Sequence, residues 1–169
     1  LYVYNLTYED YIELGKLTPS QEKLLREVMS DEFLHSMPAS GIGEQVALAA
    51  LDKVGCQYSQ DLRYEEGYYD CSSLVQRLYA EFGINLPSVA STQGQYIVDN
   101  GLQVSENELR PGDLIFHSRD TNAGEFMSIG HVAIYVGNGM QVDARGTAYG
   151  VVYRPLVPSN IGLYGRPCR

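Results

Sequence analysis

A cysteine at the start of an apolar-periodic segment is the first feature of this sequence that could do chemistry. Residues 68–75 read YYDCSSLV, and Cys71 is followed by apolar residues at helical spacing, namely Leu74, Val75 and Leu78. Cys71 is therefore predicted at the first turn of a helix, where unpaired backbone N–H dipoles favour the thiolate, the reactive form of the thiol. It is our candidate nucleophile. The alternative is an inert buried thiol, and the choice depends on whether the chain offers a base.

Three histidines are available as that base. His131 opens the apolar strand HVAIYV behind a glycine, and a side chain at such a strand start can face a cleft. His117 ends the predicted strand DLIFH and is expected at the mouth of a loop, whereas His35 lies near the N-terminus and is expected at the surface. His131 is therefore our candidate general base.

Asp143 could orient this base, and the turn before it decides whether it does. If the GNG of residues 137–139 forms a three-residue loop, Val136 pairs with Met140, and Asp143 stands diagonal to His131 on one face of a hairpin. A carboxylate there accepts the imidazole N–H and completes a set of nucleophile, base and orienting group. A two-residue loop would instead turn Asp143 to the opposite face, as a solvated strand charge. The sequence leaves both registers open.

Three further residues lie close to these groups along the chain. Asp70 is predicted to cap the helix that begins at Cys71, with binding of a substrate amine as the second interpretation. Ser72 adds a backbone N–H and a hydroxyl at the pocket rim, and the Cys71 N–H can contribute to an oxyanion hole. Tyr58, in the loop before the helix, could aim its phenol at the developing oxyanion.

The elements that must position these residues are helices first and strands second. Helical periodicity predicts helices within residues 17–34, 42–55 and 70–84, and a short one before the Asn100–Gly101 turn. Further on the period becomes that of strands, at DLIFH, HVAIYV, MQVDA and GVVYRP. This order predicts an α+β fold in which N-terminal helices pack on a central antiparallel sheet.

The Pro-Ala-Ser-Gly stretch at residues 38–41 is the predicted domain boundary. It separates an N-terminal helical extension or linker, residues 1–40, from a main domain, residues 41–169. The helix in the extension is predicted to be capped by Thr18 or Ser20 and to carry apolar residues on one stripe. Because the sequence begins with leucine rather than methionine, we expect a processed or excised form of a longer chain.

Composition disfavours several classes of partner. The net charge is −9 and no basic run occurs, so nucleic acid and anionic membranes are disfavoured as partners. No apolar run approaches the roughly 18 residues that span a bilayer. The three cysteines, Cys56, Cys71 and Cys168, are too few for a disulfide scaffold, and a Cys56–Cys168 bridge is disfavoured. They include no CxxC pair, so a structural zinc is not expected. We also expect a monomer that needs no metal or cofactor.

Three motifs in order carry a resemblance to one family. They are CQYSQDLRYEEGYYDCSSLV, LRPGDLIFH and GHVAIYVGNGMQVDA, and together they resemble the NlpC-type bacterial cell-wall cysteine peptidases, a branch of the papain-like fold, over about residues 43–167. The resemblance implies that Cys71 is the nucleophile and His131 the base, with Tyr58 matching a tyrosine that precedes the Asp-Cys-Ser motif. The family often has histidine where this chain has Asp143, and the usual Cys-Ser-Gly is Cys-Ser-Ser here.

The same resemblance implies a substrate. Asp70 and Ser72 match positions that hold the free amine end of the substrate, and Arg63 or Arg145 could meet its carboxylates. The implied activity is that of a peptidoglycan endopeptidase, outside the cell or at the wall, that cuts the bond from γ-D-glutamyl to the diamino acid. The alternatives are an N-acetylmuramoyl-L-alanine amidase or a thiol acyltransferase on the same fold, or a non-catalytic wall-binding module.

Overall fold

The computed structural model describes residues 10, 13–28 and 41–168 of the chain. The four α-helices bounded within these ranges fall where helical periodicity predicted them, whereas the helical residues 10 and 13 lie in a segment for which no helix was predicted. No helix of the described residues is long and apolar enough to cross a bilayer. The predicted surface position of His35, and residues 38–40 of the predicted boundary, lie outside the described residues. The helices are α1 (Pro19–Val28), α2 (Ile42–Asp52), α3 (Cys71–Ala80) and α4 (Ala90–Asp99).

A six-stranded antiparallel sheet follows the helices, in the order β3-β8-β4-β5-β6-β7. A separate two-residue parallel pair, β1 with β2, lies just before α3. The predicted α+β class, with helices packed on a central antiparallel sheet, is thereby confirmed. The strands are β1 (Gln57–Tyr58), β2 (Tyr68–Tyr69), β3 (Gln103–Val104), β4 (Leu114–Ser118), β5 (Ile129–Gly137), β6 (Met140–Gly146), β7 (Gly150–Pro155) and β8 (Ile161–Gly165).

Four of these strands escaped sequence-based prediction: the short pair β1 and β2, which lies in the segment predicted as a loop, and β3 and β8 of the main sheet. β8 reads IGLYG, and its glycines weaken the strand signal that apolar alternation would otherwise carry. It forms because it pairs with β4 on one side and with β3 on the other. β3 has only two residues and depends on β8 for its pairing.

The core lies between the helices and the middle of the sheet. Helices α2, α3 and α4 all pack against β5, whose apolar run brings Val132 and Ile134 under them. Leu51, Leu78 and Ile97, one from each helix, are at most 1% exposed. Burial at roughly 25 cal/mol per Å² of apolar surface makes this contact the main force that holds α3 against β5. The position of any side chain at the start of α3 relative to β5 is therefore rigidly set.

The first turn of α3 is closed by a capping box. The Asp70 side chain accepts a hydrogen bond from the backbone N–H of Ser73 at 2.8 Å, and the Ser73 hydroxyl accepts one from the backbone N–H of Asp70 at 3.0 Å. Such caps satisfy backbone donors that the helix itself leaves unpaired. The predicted capping role of Asp70 is confirmed, and Cys71 is the first residue of the helix.

The turn between β5 and β6 is the two-residue one. Gly137 pairs with Met140 across Asn138–Gly139, so of the two alternatives the three-residue loop, with Val136 opposite Met140, does not form. Both turn residues have positive φ, 50° and 76°. Positive φ at both positions is what the tight turns of two-residue hairpins require, and the Asn-Gly pair adopts it readily.

A bulge in β5 nevertheless gives the body of the hairpin the register that a three-residue loop would have produced. The pairing shifts between Tyr135 and Gly137, and beyond this point Ile134 stands opposite Val142. A bulge inserts one unpaired residue and so reverses the alternation of every side chain after it. The next residue of β6, Asp143, therefore points to the same side of the sheet as His131, and the expectation that a two-residue turn would separate the two was wrong.

The turn before β4 passes unusually close to α2. Gly112 has a φ of 95°, and a Cβ built on it would lie 2.2 Å from the backbone oxygen of Gly43. The same turn is tied to β5, because the Gly112 N–H donates to the Tyr135 carbonyl and the Tyr135 N–H donates to that of Asp113, both at 2.8 Å. Only glycine fits such a contact.

Helix α1 is attached to α2. Thr18 caps α1, since its hydroxyl accepts the Gln21 N–H at 3.1 Å, while the Gln21 side chain accepts the Thr18 N–H at 3.0 Å. The Gln21 side-chain amide also donates to the carbonyl of Leu48 in α2 at 2.8 Å. The described part of the N-terminal extension is therefore docked on the main domain at this helix.

Candidate active site

A cleft of about 350 Å³ opens between the first turn of α3 and the start of β5. Cys71 and His131 face each other across it, although 60 residues separate them in the chain. Of the predicted site residues, only Asp143 does not line the cleft, because it is fully buried behind His131. Besides Cys71 and His131, the lining of the cleft includes Tyr58, Asp70, Ser72, Ser91, Arg119, Asn122, Glu125, Gly130 and Arg145.

The imidazole of His131 connects the thiol to the carboxylate. Its Nε2 lies 2.8 Å from Oδ2 of Asp143, and the ring also shares a hydrogen bond with Cys71. Burial disfavours the imidazolium, but the bonds to Asp143 and Cys71 outweigh it and raise the pKa of His131 to about 9. At neutral pH the ring is therefore charged, and it carries a proton beside the Cys71 sulfur.

The carboxylate of Asp143 is completely satisfied by nitrogen donors. Besides His131, Arg154 reaches it through Nε at 3.1 Å and Nη2 at 2.7 Å, and the Gln141 side chain donates at 3.1 Å. Burial alone would raise the pKa of Asp143, but the bonds from His131 and Arg154 hold it well below its usual range. Asp143 is thus a buried carboxylate that can fix the imidazole tautomer.

Arg154 and Gln141 are functional neighbours that sequence reasoning missed. Both lie on strands next to Asp143: Gln141 is two residues away on β6, and Val152, two residues before Arg154 on β7, is the pairing partner of Asp143. Because side chains alternate between the two faces of a strand, Gln141, two residues from Asp143, could have been predicted on the same face of β6. No local signal pointed to Arg154, because its contact depends on the pairing of β7 with β6.

Comparison with known proteins agrees with this geometry. Residues 55–161, more than half of the chain, match the NlpC/P60 family model. The chain belongs to the NlpC/P60 family. The resemblance to NlpC-type peptidases seen in the sequence is thereby confirmed.

Named relatives fall in the same family. The chain is 38% identical over 96 residues to the probable endopeptidase p60 of Listeria seeligeri, covering 57% of this chain and 16% of that protein. It is 33% identical over 88 residues to the gamma-D-glutamyl-L-lysine dipeptidyl-peptidase of Bacillus cereus, covering 52% and 24%. The structure of NlpC2 from Trichomonas vaginalis superimposes with a TM-score of 0.66 and 28% identity, over 77% of this chain and 48% of that one. The chain spans about a sixth to a quarter of the length of these curated relatives.

In this NlpC/P60 domain, Asp70 already has protein partners on both carboxylate oxygens. Oδ1 accepts from the backbone of Ser73 and from the Ser72 hydroxyl, and Oδ2 forms an ion pair with Arg63 Nε at 2.8 Å. Arg63 also donates to the Ser72 hydroxyl at 2.9 Å and to the carbonyl of Ser88. A substrate amine at Asp70 would therefore have to share this carboxylate, and Arg63 is held away from the substrate carboxylates expected for it.

Tyr58 lines the cleft on the side of α3. It lies in β1, directly opposite Tyr69, the residue before Asp70. Burial raises the pKa of Tyr58, and repulsion from the negative charges of Cys71 and Asp70 adds to the increase. The phenol therefore keeps its proton across the physiological range and can act as a hydrogen-bond donor into the cleft.

His117 has a different position from the one expected at a loop mouth. It is 6% exposed and stands directly opposite His131 in the β4–β5 pair, with the ring centroids 5.9 Å apart. Its Nδ1 lies 3.0 Å from the carbonyl of Ser159, and burial lowers the pKa of the ring. His117 is thus a buried, neutral neighbour of His131 that does not line the cleft.

The remaining two cysteines lie away from the cleft. Cys56, Cys71 and Cys168 all belong to the described residues, and each is a free thiol. Burial raises the pKa of Cys168, which disfavours its thiolate. Among the three, only Cys71 combines a helix N-terminus with a histidine partner.

Proposed function

We propose that this NlpC/P60 domain is a cysteine endopeptidase that cleaves peptidoglycan stem peptides, at the amide bond from γ-D-glutamyl to the diamino acid. The observation that carries the proposal is the hydrogen-bonded series from Cys71 through His131 to Asp143 beside an open cleft. A nucleophile, a base and an orienting carboxylate in contact are the requirements of covalent acyl transfer.

In the proposed reaction the Cys71 sulfur attacks the scissile carbonyl carbon. The carbonyl oxygen becomes an oxyanion, which the backbone N–H of Cys71 and the Tyr58 hydroxyl stabilise by hydrogen bonds. His131 donates its proton to the leaving amine, the C–N bond breaks, and a thioester with Cys71 remains. His131 then takes a proton from water, whose oxygen attacks the thioester and releases the acid and the thiol.

Several side chains act together to lower this barrier. Removing one oxyanion donor or the base singly raises the activation free energy by about 2 to 4 kcal/mol, and the effects are strongly non-additive. Asp143 acts through His131, by holding Nε2 as the protonated nitrogen so that Nδ1 faces the sulfur. Asp70 and Ser72 remain the proposed contacts for the free amine end of the substrate.

The choice of bond is supported by the relatives. One is named a gamma-D-glutamyl-L-lysine dipeptidyl-peptidase, and another, from Bacillus subtilis, a bifunctional muramidase/DL-endopeptidase. A substrate in the cell wall implies that the domain works outside the cytoplasm or at the wall, and we propose that location for it. We propose further that it acts as a monomer, because the cleft and the three reacting groups all come from one chain.

Digestion of defined muropeptides tests the proposal. The protein is incubated with purified disaccharide peptides, and the fragments are identified by mass. We expect cleavage after γ-D-glutamyl, and loss of all cleavage in Cys71→Ala, since no other thiol adjoins a histidine among the described residues. Cys56→Ala, a matched control at a half-buried thiol outside the cleft, retains cleavage.

The fragments also separate the alternatives. Release of an intact stem peptide from the sugar would identify an amidase, and transfer of an acyl group to another acceptor would identify an acyltransferase. Equal cleavage by the wild type and Cys71→Ala would assign the nucleophile to another residue. Binding of muropeptides without cleavage by the wild type would identify a wall-binding module.

A further inference from the structure

The segment between β4 and β5 forms the wall of the cleft opposite α3. Residues 119–128 contain two short 3-10 turns, and they contribute Arg119, Asn122 and Glu125 to the lining. The backbone of Arg119 is fixed at both polar groups, because its N–H donates to the carbonyl of Ser128 at 2.8 Å and its carbonyl accepts the Asn122 N–H at 2.9 Å. The base of this arginine is therefore held in place.

Arg119 lies close to the reacting groups. Its Cδ would be 3.1 Å from a Cβ built on Gly130, the residue directly before His131. Its positive charge acts on both the Tyr58 phenol and the His117 ring: it opposes the burial that raises the pKa of Tyr58, and it adds to the burial that lowers the pKa of His117. The guanidinium thus stands within electrostatic range of the proposed oxyanion donor.

Three arginines lie at or near the cleft, and two of them, Arg63 and Arg145, have side-chain partners in the protein. Arg63 is used by Asp70, Ser72 and Ser88, and Arg145 stacks on the Tyr149 ring at 3.8 Å. Arg119 is exposed and has no carboxylate at ion-pair distance within the described part of the chain.

The nearest acid of the same wall is also engaged. Glu125 accepts a hydrogen bond from the Ser91 hydroxyl at 3.0 Å, and it forms no ion pair with Arg119. In a protein of net charge −9, an arginine left without an acidic partner inside the cleft is free to meet an anion of the substrate.

The proposed substrate carries such an anion beside the scissile bond. A γ-linked D-glutamyl residue is joined to the next residue through its side-chain carbonyl, so its α-carboxylate remains free a few bonds away. A guanidinium binds a carboxylate with two parallel, charge-assisted hydrogen bonds. When the α-carboxylate is amidated, the group is neutral and this pairing is lost.

We propose that Arg119 recognises the free α-carboxylate of the γ-D-glutamyl residue and makes the domain discriminate against the α-amidated form of the stem peptide. The inference rests on the proposed function, because the α-carboxylate belongs to the substrate proposed for the same cleft. In this role Arg119 takes the place of Arg63 and Arg145, which the sequence suggested as contacts for substrate carboxylates. Arg119 is a specificity-determining residue, and the reacting set remains Cys71, His131 and Asp143.

Two synthetic stem peptides that differ only in this group test the proposal. One has the α-carboxylate and the other the α-carboxamide, and kcat/KM is measured for the wild type, Arg119→Gln, Arg119→Lys and Arg145→Gln. We expect the wild type to prefer the carboxylate peptide at least about tenfold, which corresponds to about 1.4 kcal/mol. Arg119→Gln removes the preference by slowing only the carboxylate peptide, Arg119→Lys keeps part of it, and Arg145→Gln keeps the ratio of the two peptides.

Several results would overturn this assignment. Equal kcat/KM of the wild type for both peptides, an equal loss on both in Arg119→Gln, or loss of the preference in Arg145→Gln would each remove Arg119 from the role. If the wild type cleaves neither peptide, the proposed activity fails, and binding of the two peptides to the wild type by calorimetry decides the specificity separately. Tighter binding of the carboxylate peptide that disappears in Arg119→Gln would support it, and equal or absent binding would contradict it.

Discussion

At the scale of single residues, the site depends on one buried carboxylate with more donors than a catalytic set requires. Asp143 receives four N–H groups, of which only one comes from His131. The other three come from Arg154 and Gln141, and they hold the carboxylate in one orientation and ionised. His131 is therefore held beside Cys71 in a single tautomer, which is the geometric condition for the proposed proton transfer to a leaving amine.

The raised pKa of His131 predicts the pH dependence of the proposed cleavage. A raised pKa means that the ring keeps its proton up to about pH 9, so the proton needed by the leaving amine is present below that value and is lost above it. We expect kcat/KM to fall as the pH rises through about 9. In Asp143→Asn the carboxylate that supports the imidazolium is gone, and the alkaline limb moves down by roughly 1 to 2 pH units.

The measurement is a pH–rate profile of both proteins, with Asp99→Asn as the control. Asp99 is an exposed acid at the end of α4, so its replacement leaves the profile unchanged. An Asp143→Asn profile that keeps its alkaline limb near pH 9 would mean that Asp143 does not control the protonation of His131.

At the scale of elements, the turn before β4 sets the spacing between a helix and the sheet. Gly112 brings its backbone against Gly43 at the start of α2, and the same turn is hydrogen bonded to β5. A side chain at residue 112 would have to displace backbone atoms of α2, not a flexible side chain. The contact is therefore a fixed point of the fold, and α2 and β5 share it.

Replacement of Gly112 by alanine tests this contact. Gly112→Ala meets both a positive φ of 95° and a Cβ contact of 2.2 Å, whereas Gly83→Ala meets a positive φ of 81° with open space around the Cβ. We expect Gly83→Ala to lower the free energy of unfolding by about 1 kcal/mol and Gly112→Ala by about 3 kcal/mol or more. Urea unfolding of the two variants measures the difference, and equal losses would show that backbone strain alone accounts for both.

At the scale of the whole molecule, the sheet and its three covering helices form the unit that carries the cleft. Every described residue of the site lies between residues 58 and 154, whereas the contacts of α1 are made with α2. The N-terminal extension is thus attached to the side of the domain through Gln21 and Leu48, and no described residue of it lines the cleft.

Removal of residues 1–40 is the corresponding test of the domain boundary. We expect residues 41–169 to unfold cooperatively and to cleave the same bond, with a loss of stability of about 1 to 2 kcal/mol from the hydrogen bonds between α1 and α2. Thermal unfolding followed by circular dichroism and the muropeptide digest measure the two properties. Failure of this fragment to fold would make the extension part of the domain, whereas folding without cleavage would give it a role at the site.

The sequence alone predicted the candidate reacting groups and the type of the elements that carry Cys71 and His131. Cys71 at a helix start, His131 at a strand start and Asp70 as a cap follow from short-range periodicity and capping, which act over a few residues. β8 could not be found in the same way, since its glycines carry little strand signal and its pairing with β4 spans more than 40 residues.

Only the tertiary structure decided which side chains meet. A bulge of one residue placed Asp143 beside His131, although the turn had the length that was expected to separate them. Strand pairing brought Arg154 onto the same carboxylate, and ion pairing engaged Arg63 with Asp70 while Arg119 stayed exposed at the cleft wall. The physical reason is that register, bulges and ion pairs are settled by contacts between segments distant in the chain, which local propensity does not contain.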